Sequence, residues 1–237
     1  MLTVLKITAA RGAMMTASEL SAWLGRTLIF DGLDPEDIDR LAAIVRESSL
    51  QQGDILFEQG DESDGLYLIV AGLVRVYLTT EDGREVTVSL LEDGEVIGEM
   101  SLLDGLPRSA GAAALIETRL IFIPRAPFLE LLETNGKLAR QIILTLCERL
   151  RSANAQFDQA VFHDLRHRLV VLLRQLAMMV GKVDQHVAVV DLDLTQGTLA
   201  QMLGASREAV NKQLRALVKE GRIAVEGQRI QVFKGKG

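Results

Sequence analysis

Turn pairs built on glycine recur at intervals of roughly ten residues between Leu33 and Pro127: Gly53-Asp54, Gly60-Asp61, Ala71-Gly72, Asp82-Gly83 and Asp93-Gly94. Reversals that frequent leave room only for short strands, so this stretch is predicted to fold as an all-β roll or barrel. Leu73 to Thr80 and Glu85 to Leu91 flank Glu81-Asp82-Gly83-Arg84. They read as a β-hairpin with the left-handed-tolerant Asp-Gly pair at its tip.

The period changes after Leu129. Ala139, Ile143, Leu146, Leu150, Ala153, Phe157 and Ala160 follow one another at alternating steps of four and three. That is a heptad seam on a helix running from about Gly136 to Phe162. At 1.5 Å per residue the helix is about 40 Å long, more than one β-domain covers, so the seam is expected to pair with a second copy of the chain. Packing on its own domain is the alternative for so short a seam. A second helix is predicted from Asp164 to about Met179, then a loop opening at Gly181-Lys182 and a short strand over Val187 to Val190. Met178 and Met179 read as core filling. Ahead of the roll a short helix is expected around Ala17 to Leu24, with the first 15 or so residues poorly ordered. Met14 and Met15 are alternative starts of translation.

The 237 residues suffice for two domains, and 48% of them are hydrophobic, enough to fill two cores. No apolar run reaches the ~20 residues of a membrane helix, and Met1 to Arg11 lacks the pattern of a signal peptide, so no membrane contact is expected. The single cysteine, Cys147, excludes an intrachain disulfide and a cysteine-bound iron–sulfur cluster or zinc site, and fits the cytoplasm. The net charge of −6 conceals an asymmetry. Leu165 to Gly237 carries 12 Lys/Arg against 6 Asp/Glu, and the remainder carries 14 against 26. The basic tail is where phosphates are expected to bind.

Two stretches carry chemistry. In Gly94 to Ala110, Gly98 allows close backbone approach and φ > 0. Glu99 to Leu103 offers backbone N–H groups to an anion. Arg108 brings a planar fork suited to phosphate and Ser109 a hydroxyl, and Glu99 is an acceptor suited to a ribose hydroxyl. Together with Gly53-Asp54, Phe57, Gly60-Asp61, Leu66-Tyr67 and Gly72, this stretch resembles the phosphate-binding cassette of cyclic-nucleotide-binding domains, over residues 33–127. The resemblance implies a ligand site of Gly98, Glu99, Met100, Arg108, Ser109 and Ala110. Arg108 and Ser109 would hold the cyclic phosphate and Glu99 the ribose 2′-OH. An arginine and a glutamate buried there without ligand are costly unless they pair with each other. The alternative is an inherited roll that binds nothing.

In the second stretch, Thr195 caps a short helix with Leu199, Ala200 and Leu203 inward, Gly204 ends it, and Ser206 caps a second helix with Val210, Leu214 and Leu217 inward. A hairpin follows, from Arg222 to Val225, through Glu226-Gly227, to Arg229 to Phe233. This is a winged helix-turn-helix, and Arg207, Glu208, Asn211, Lys212 and Arg215 face outward to read a major groove. A merely solvated helix face is the bland alternative.

The order of β-roll, dimer helix and winged helix-turn-helix resembles the CRP/FNR family of bacterial regulators over nearly the whole chain. The fold class implied is α+β: an N-terminal cyclic-nucleotide-binding β-roll (33–135) after a lead-in (1–32), a long dimerisation helix and hinge (136–163), and a C-terminal winged helix-turn-helix (164–237). The resemblance implies a non-enzymatic regulator that takes cAMP or cGMP as effector and no cofactor, binds double-stranded DNA as a homodimer, and meets RNA polymerase. Thr195, Ser206, Arg207, Glu208, Asn211 and Lys212 would be its DNA-binding residues. Lys212 stands where cAMP-responsive members carry an arginine, which weakens discrimination at that base pair. Where those members place a Thr-Ser pair on the base, this chain has Ala153 and Asn154. Asn154 both donates and accepts, so adenine and guanine stay open.

Oxygen sensing through a cysteine-bound cluster is excluded by the single cysteine, and haem sensing by the placement of all three histidines outside the roll. His163 and His167 sit i, i+4, a metal-compatible spacing without a third ligand, and are expected to line the hinge beside Asp164. A phosphodiesterase would need a His/Asp metal cluster that the chain lacks. A regulatory subunit for a protein partner would have no use for a DNA-reading helix. A CRP/FNR-type regulator whose roll is only a dimerisation scaffold is the second reading.

Overall fold

In the computed structural model the described residues are 15–183, 187–192, 194–226 and 229–233. The disorder expected of the N-terminus and the Gly227 turn of the wing therefore lie outside them. The chain divides into two compact units, one comprising the chain to Val76 with Ser89–Ser152, the other Tyr77–Val88 with the chain from Ala153 onward.

The first unit contains the roll apart from the outer part of its β4–β5 hairpin. One sheet has the order β1 (Arg46–Leu50), β8 (Thr118–Pro124), β3 (Gly65–Ala71), β6 (Val96–Ile97). The other runs β2 (Ile55–Phe57), β7 (Gly111–Ala114), β4 (Val74–Thr79), β5 (Glu85–Leu91), the last two forming the expected hairpin, with Gly83 at φ 78° in its tip. β3 and β8 are buried on both faces and separate two cores. Alternate residues of a strand point to opposite faces. Tyr67, Ile69, Leu120 and Phe122 accordingly fill the space between the sheets, with Leu50, Phe57 and Ile97. Leu66, Leu68, Ile121 and Ile123 face the helices. The antiparallel register makes this consistent, pairing Leu66 with Ile123, Tyr67 with Phe122, and Leu68 with Ile121.

The helical core takes Leu20 and Leu24 from α1 (Ala17–Leu24), Ile38 and Leu41 from α2 (Pro35–Ile44), Phe128 from α4 (Arg125–Thr134), and Leu138 and Ile142 from α5 (Gly136–Phe162). The helix expected at Ala17 to Leu24 starts on a capping box. Thr16 Oγ1 accepts from the Glu19 N–H at 3.3 Å, and the Thr16 N–H donates to Glu19 at 2.8 Å. The lead-in thus contributes to the core of the roll.

The second unit is built on α6 (Leu165–Val180), whose N-cap Asp164 accepts from the His167 N–H at 2.8 Å. Its buried stripe of Leu169, Leu172, Leu173 and Leu176 packs with α7 (Gln196–Leu203) and α8 (Arg207–Lys219). A sheet of order β11 (Ile223–Glu226), β12 (Arg229–Phe233), β10 (Val187–Asp191), β9 (Lys182–Val183) completes it. Two expectations are corrected. Met178 is 76% exposed, because two residues beyond Leu176 it has turned off the buried stripe, so it fills no core. Lys182 and Val183 form an edge strand on β10 rather than a loop. Among the described residues no helix is long and apolar enough to cross a membrane.

Phe128 is fully buried where α4 meets the β3–β8 face. Phe128→Ala is expected to destabilise the roll by about 3–5 kcal/mol, measured by denaturant unfolding.

Candidate functional site

The cassette opens at β6 and turns at Gly98, which has φ 85° and begins the one-and-a-half-turn helix α3 (Glu99–Asp104). A side chain at Gly98 would have its Cβ 2.0 Å from Arg108 Nη1, so glycine is required both by backbone and by space. Arg108 is 4% exposed. Its Nη1 donates to the Gly98 carbonyl at 2.9 Å and its Nη2 to the Gly65 carbonyl at 2.8 Å. The guanidinium lies 4.3 Å from the Phe57 ring centroid and 5.9 Å from that of Tyr67, a cation–π arrangement. Nε has no hydrogen-bond partner. Burial lowers the Arg108 pKa from the ordinary guanidinium value, opposed by Tyr67, Asp64, Glu99 and Asp61. The group stays charged near neutral pH. Burial likewise raises the Tyr67 pKa.

Glu99 is 1% exposed and does not pair with Arg108. It accepts at 2.7 Å from Arg149 Nη1 on α5, and Arg149 Nη2 also donates to the Val96 carbonyl. The two charges are accommodated without pairing with each other. Each buried charge is met by a different group, Arg108 by carbonyls and rings, Glu99 by a helix some fifty residues downstream. Glu99 Oε2 is left without a partner. Arg149 was invisible to motif reading, because only the fold closes its distance to Glu99. Its one trace in the sequence is a cation beside Leu150 of the seam. Met100 is 47% exposed, and Ser109, also exposed, donates to its sulfur at 3.7 Å. Ala110 is buried at the start of β7. The structure therefore gathers Gly98, Glu99, Met100, Arg108, Ser109 and Ala110 around one turn. Asn154 is exposed on α5.

In the second unit, Thr195 Oγ1 accepts from the Thr198 N–H at 3.0 Å, and Ser206 Oγ from the Ala209 N–H at 3.2 Å, capping α7 and α8. Gly204 turns between them at φ 59°. Arg168 on α6 donates to the Leu203 carbonyl at 2.5 Å, which fixes the end of α7. Arg166 forms a two-pronged ion pair with Glu220 just past α8. Arg207, Glu208, Lys212 and Arg215 are exposed on α8 and Asn211 is half-buried. The His163 and His167 rings stack at 4.2 Å. Among the described residues there is no group of three or more His, Cys, Asp or Glu able to hold a metal.

Comparison with known proteins matches residues 47–135 to the cyclic nucleotide-binding domain and residues 167–235 to the Crp-like helix-turn-helix domain. A CRP-like cAMP-activated global transcriptional regulator of Mycobacterium tuberculosis is 31% identical over 209 residues, 88% of this chain and 93% of that one. The cyclic AMP receptor protein of Thermus thermophilus is 36% identical over 194 residues, 81% and 86% of the two chains. A crp/fnr-family transcriptional regulator from Eubacterium rectale shares the fold with a TM-score of 0.74 at 20% identity, over 88% of this chain and 94% of that one.

Replacing Arg149 by methionine strands a buried carboxylate. Arg149→Met is expected to destabilise the first unit by on the order of 3 kcal/mol, and Glu99→Gln in the same chain to restore much of it, as a double-mutant cycle of unfolding free energies would show.

Proposed function

Because the chain belongs to the CRP/FNR family of transcription regulators, we propose that it reads DNA as a homodimer under the control of a cyclic nucleotide, cAMP or cGMP, held in the roll. The observation that carries this reading is the guanidinium of Arg108. It is buried, its side-chain hydrogen bonds go to two carbonyls rather than a carboxylate, and it stands next to the exposed hydroxyl of Ser109. An anion placed there gains a charge-assisted contact that the protein alone does not supply. The cyclic phosphate takes Arg108 and Ser109, Met100 and Ala110 line the turn, Glu99 accepts from the ribose 2′-OH, and Asn154 reads the base. The named relatives respond to cAMP, which makes it the first ligand to test.

The seam supports the homodimer. Ile143, Leu150 and Phe157, seven apart on α5, are 59%, 64% and 69% exposed, while Leu138 and Ile142 on another face of the helix are buried. Apolar side chains repeating every seven residues in solvent are what a partner helix covers. Ligand-driven change in α5 passes to the Asp164 hinge and sets the two recognition helices near one DNA turn apart, ~34 Å, on a near-palindromic site. There Arg207, Glu208, Asn211 and Lys212 meet base edges, and Thr195 and Ser206 meet phosphates. The regulator works in the cytoplasm and contacts RNA polymerase from that site.

Calorimetric titration with cAMP and cGMP should show saturable binding of one. Ser109→Ala, an exposed change, should weaken it roughly tenfold, and Arg108→Ala should abolish it. Affinity for duplex DNA should rise with the bound nucleotide. Equal DNA affinity with and without saturating nucleotide would overturn the proposed control, and binding of neither nucleotide would leave the roll as a scaffold. In sedimentation at micromolar concentration the chain should run at twice its own mass. Leu150→Asp should shift it to the monomer, and an unaltered profile would count against the seam.

A further inference from the structure

The second unit holds a cleft of about 610 Å³ between α8, the residues leading into α7, and the wing. Its floor is apolar and largely out of solvent, with Leu199 at 1%, Leu214 at 7% and Ile230 at 6% exposure. Its lip is also apolar, but exposed: Val218 is 45% and Val225 48% accessible. Arg215 and Lys219 line the same cleft, and among the described residues no carboxylate does. On α8 Arg215 stands one turn from both Val218 and Lys219, so the two cations lie together on one side of the apolar lip. A DNA phosphate would use those two cations, but an apolar chamber adds nothing to a phosphate contact. The volume is within the range of small-molecule sites, which are mostly apolar with a few polar anchors.

We propose that this cleft is a second ligand site, for an aromatic organic anion whose ring system rests on Leu199, Leu214, Val218 and Val225 and whose acid group meets Arg215 and Lys219. Charge complementarity assigns the acid, and the apolar floor assigns the ring. Thr195 and Asn211 form part of the same walls. Occupancy and DNA binding then exclude one another, which makes the ligand a negative effector independent of the roll. Only this exclusion rests on the helix-turn-helix reading; the binding itself does not.

The test uses the full chain and the fluorescent probe 1-anilinonaphthalene-8-sulfonate. Wild type should bind with saturable enhancement. Arg215→Gln should weaken binding roughly tenfold, and Val218→Asp should abolish it, with helical content by circular dichroism unchanged in both. Should Val218→Asp not fold, Arg215→Gln decides alone. Equal probe affinity in wild type and variants overturns the site. A duplex three helical turns long, added at low salt, should displace the probe. Variant-sensitive binding that DNA does not displace would uphold the site while counting against α8 as the DNA-reading face.

Discussion

A buried arginine holds the roll's functional end together. Arg108 donates to Gly98 and Gly65 through its side chain, while its backbone N–H donates to Asp61 at 2.8 Å and its carbonyl accepts from Gly60 at 2.8 Å. Three other segments are thus tied to the entry to β7: the Gly60-Asp61 turn, the start of β3, and the left-handed turn at Gly98. The rings of Phe57 and Tyr67 line one face of the guanidinium and continue to Phe122, whose centroid is 5.2 Å from that of Tyr67. The charge is held in place by dipoles and rings, which position it without neutralising it. Such a group is a structural clasp that keeps its charge.

The partner of Glu99 ties the cassette to α5. That helix has three uses on its circumference. Leu138 and Ile142 enter the helical core, Arg149 reaches Glu99 and Val96, and Ile143, Leu150 and Phe157 remain in solvent. The helix that holds the Glu99 carboxylate is therefore the same one that carries the exposed seam.

The DNA-reading unit relies on ordinary means. Two hydroxyl caps, one left-handed glycine and a leucine-rich stripe on α6 set two helices at a tight turn. Arg168 and Arg166 bind the ends of α7 and α8 to α6, so α8 is positioned by α6 and not by its own propensity alone. The basic balance of this region in an otherwise acidic chain concentrates the attraction for phosphate where the helix is presented.

Local rules were enough for much of this. Glycine turn pairs, the Thr195 and Ser206 caps, the seam's alternating steps and the Val210-Leu214-Leu217 stripe are short-range patterns, and the elements they predict are present. Met178 shows the limit, since adjacent positions on this helix can both be buried, as Leu172 and Leu173 are, and only packing decides where the stripe ends. Chemical type likewise marked Arg108 and Glu99 from their cassette alone. What they touch was decided by the tertiary fold. The sheet topology brings the Gly65 carbonyl and two rings to Arg108, and the return of α5 brings Arg149 to Glu99. Side-chain identity fixes which charges are present. The partner that neutralises a buried charge is whichever group the folded chain carries to it, and that distance is not written in sequence spacing.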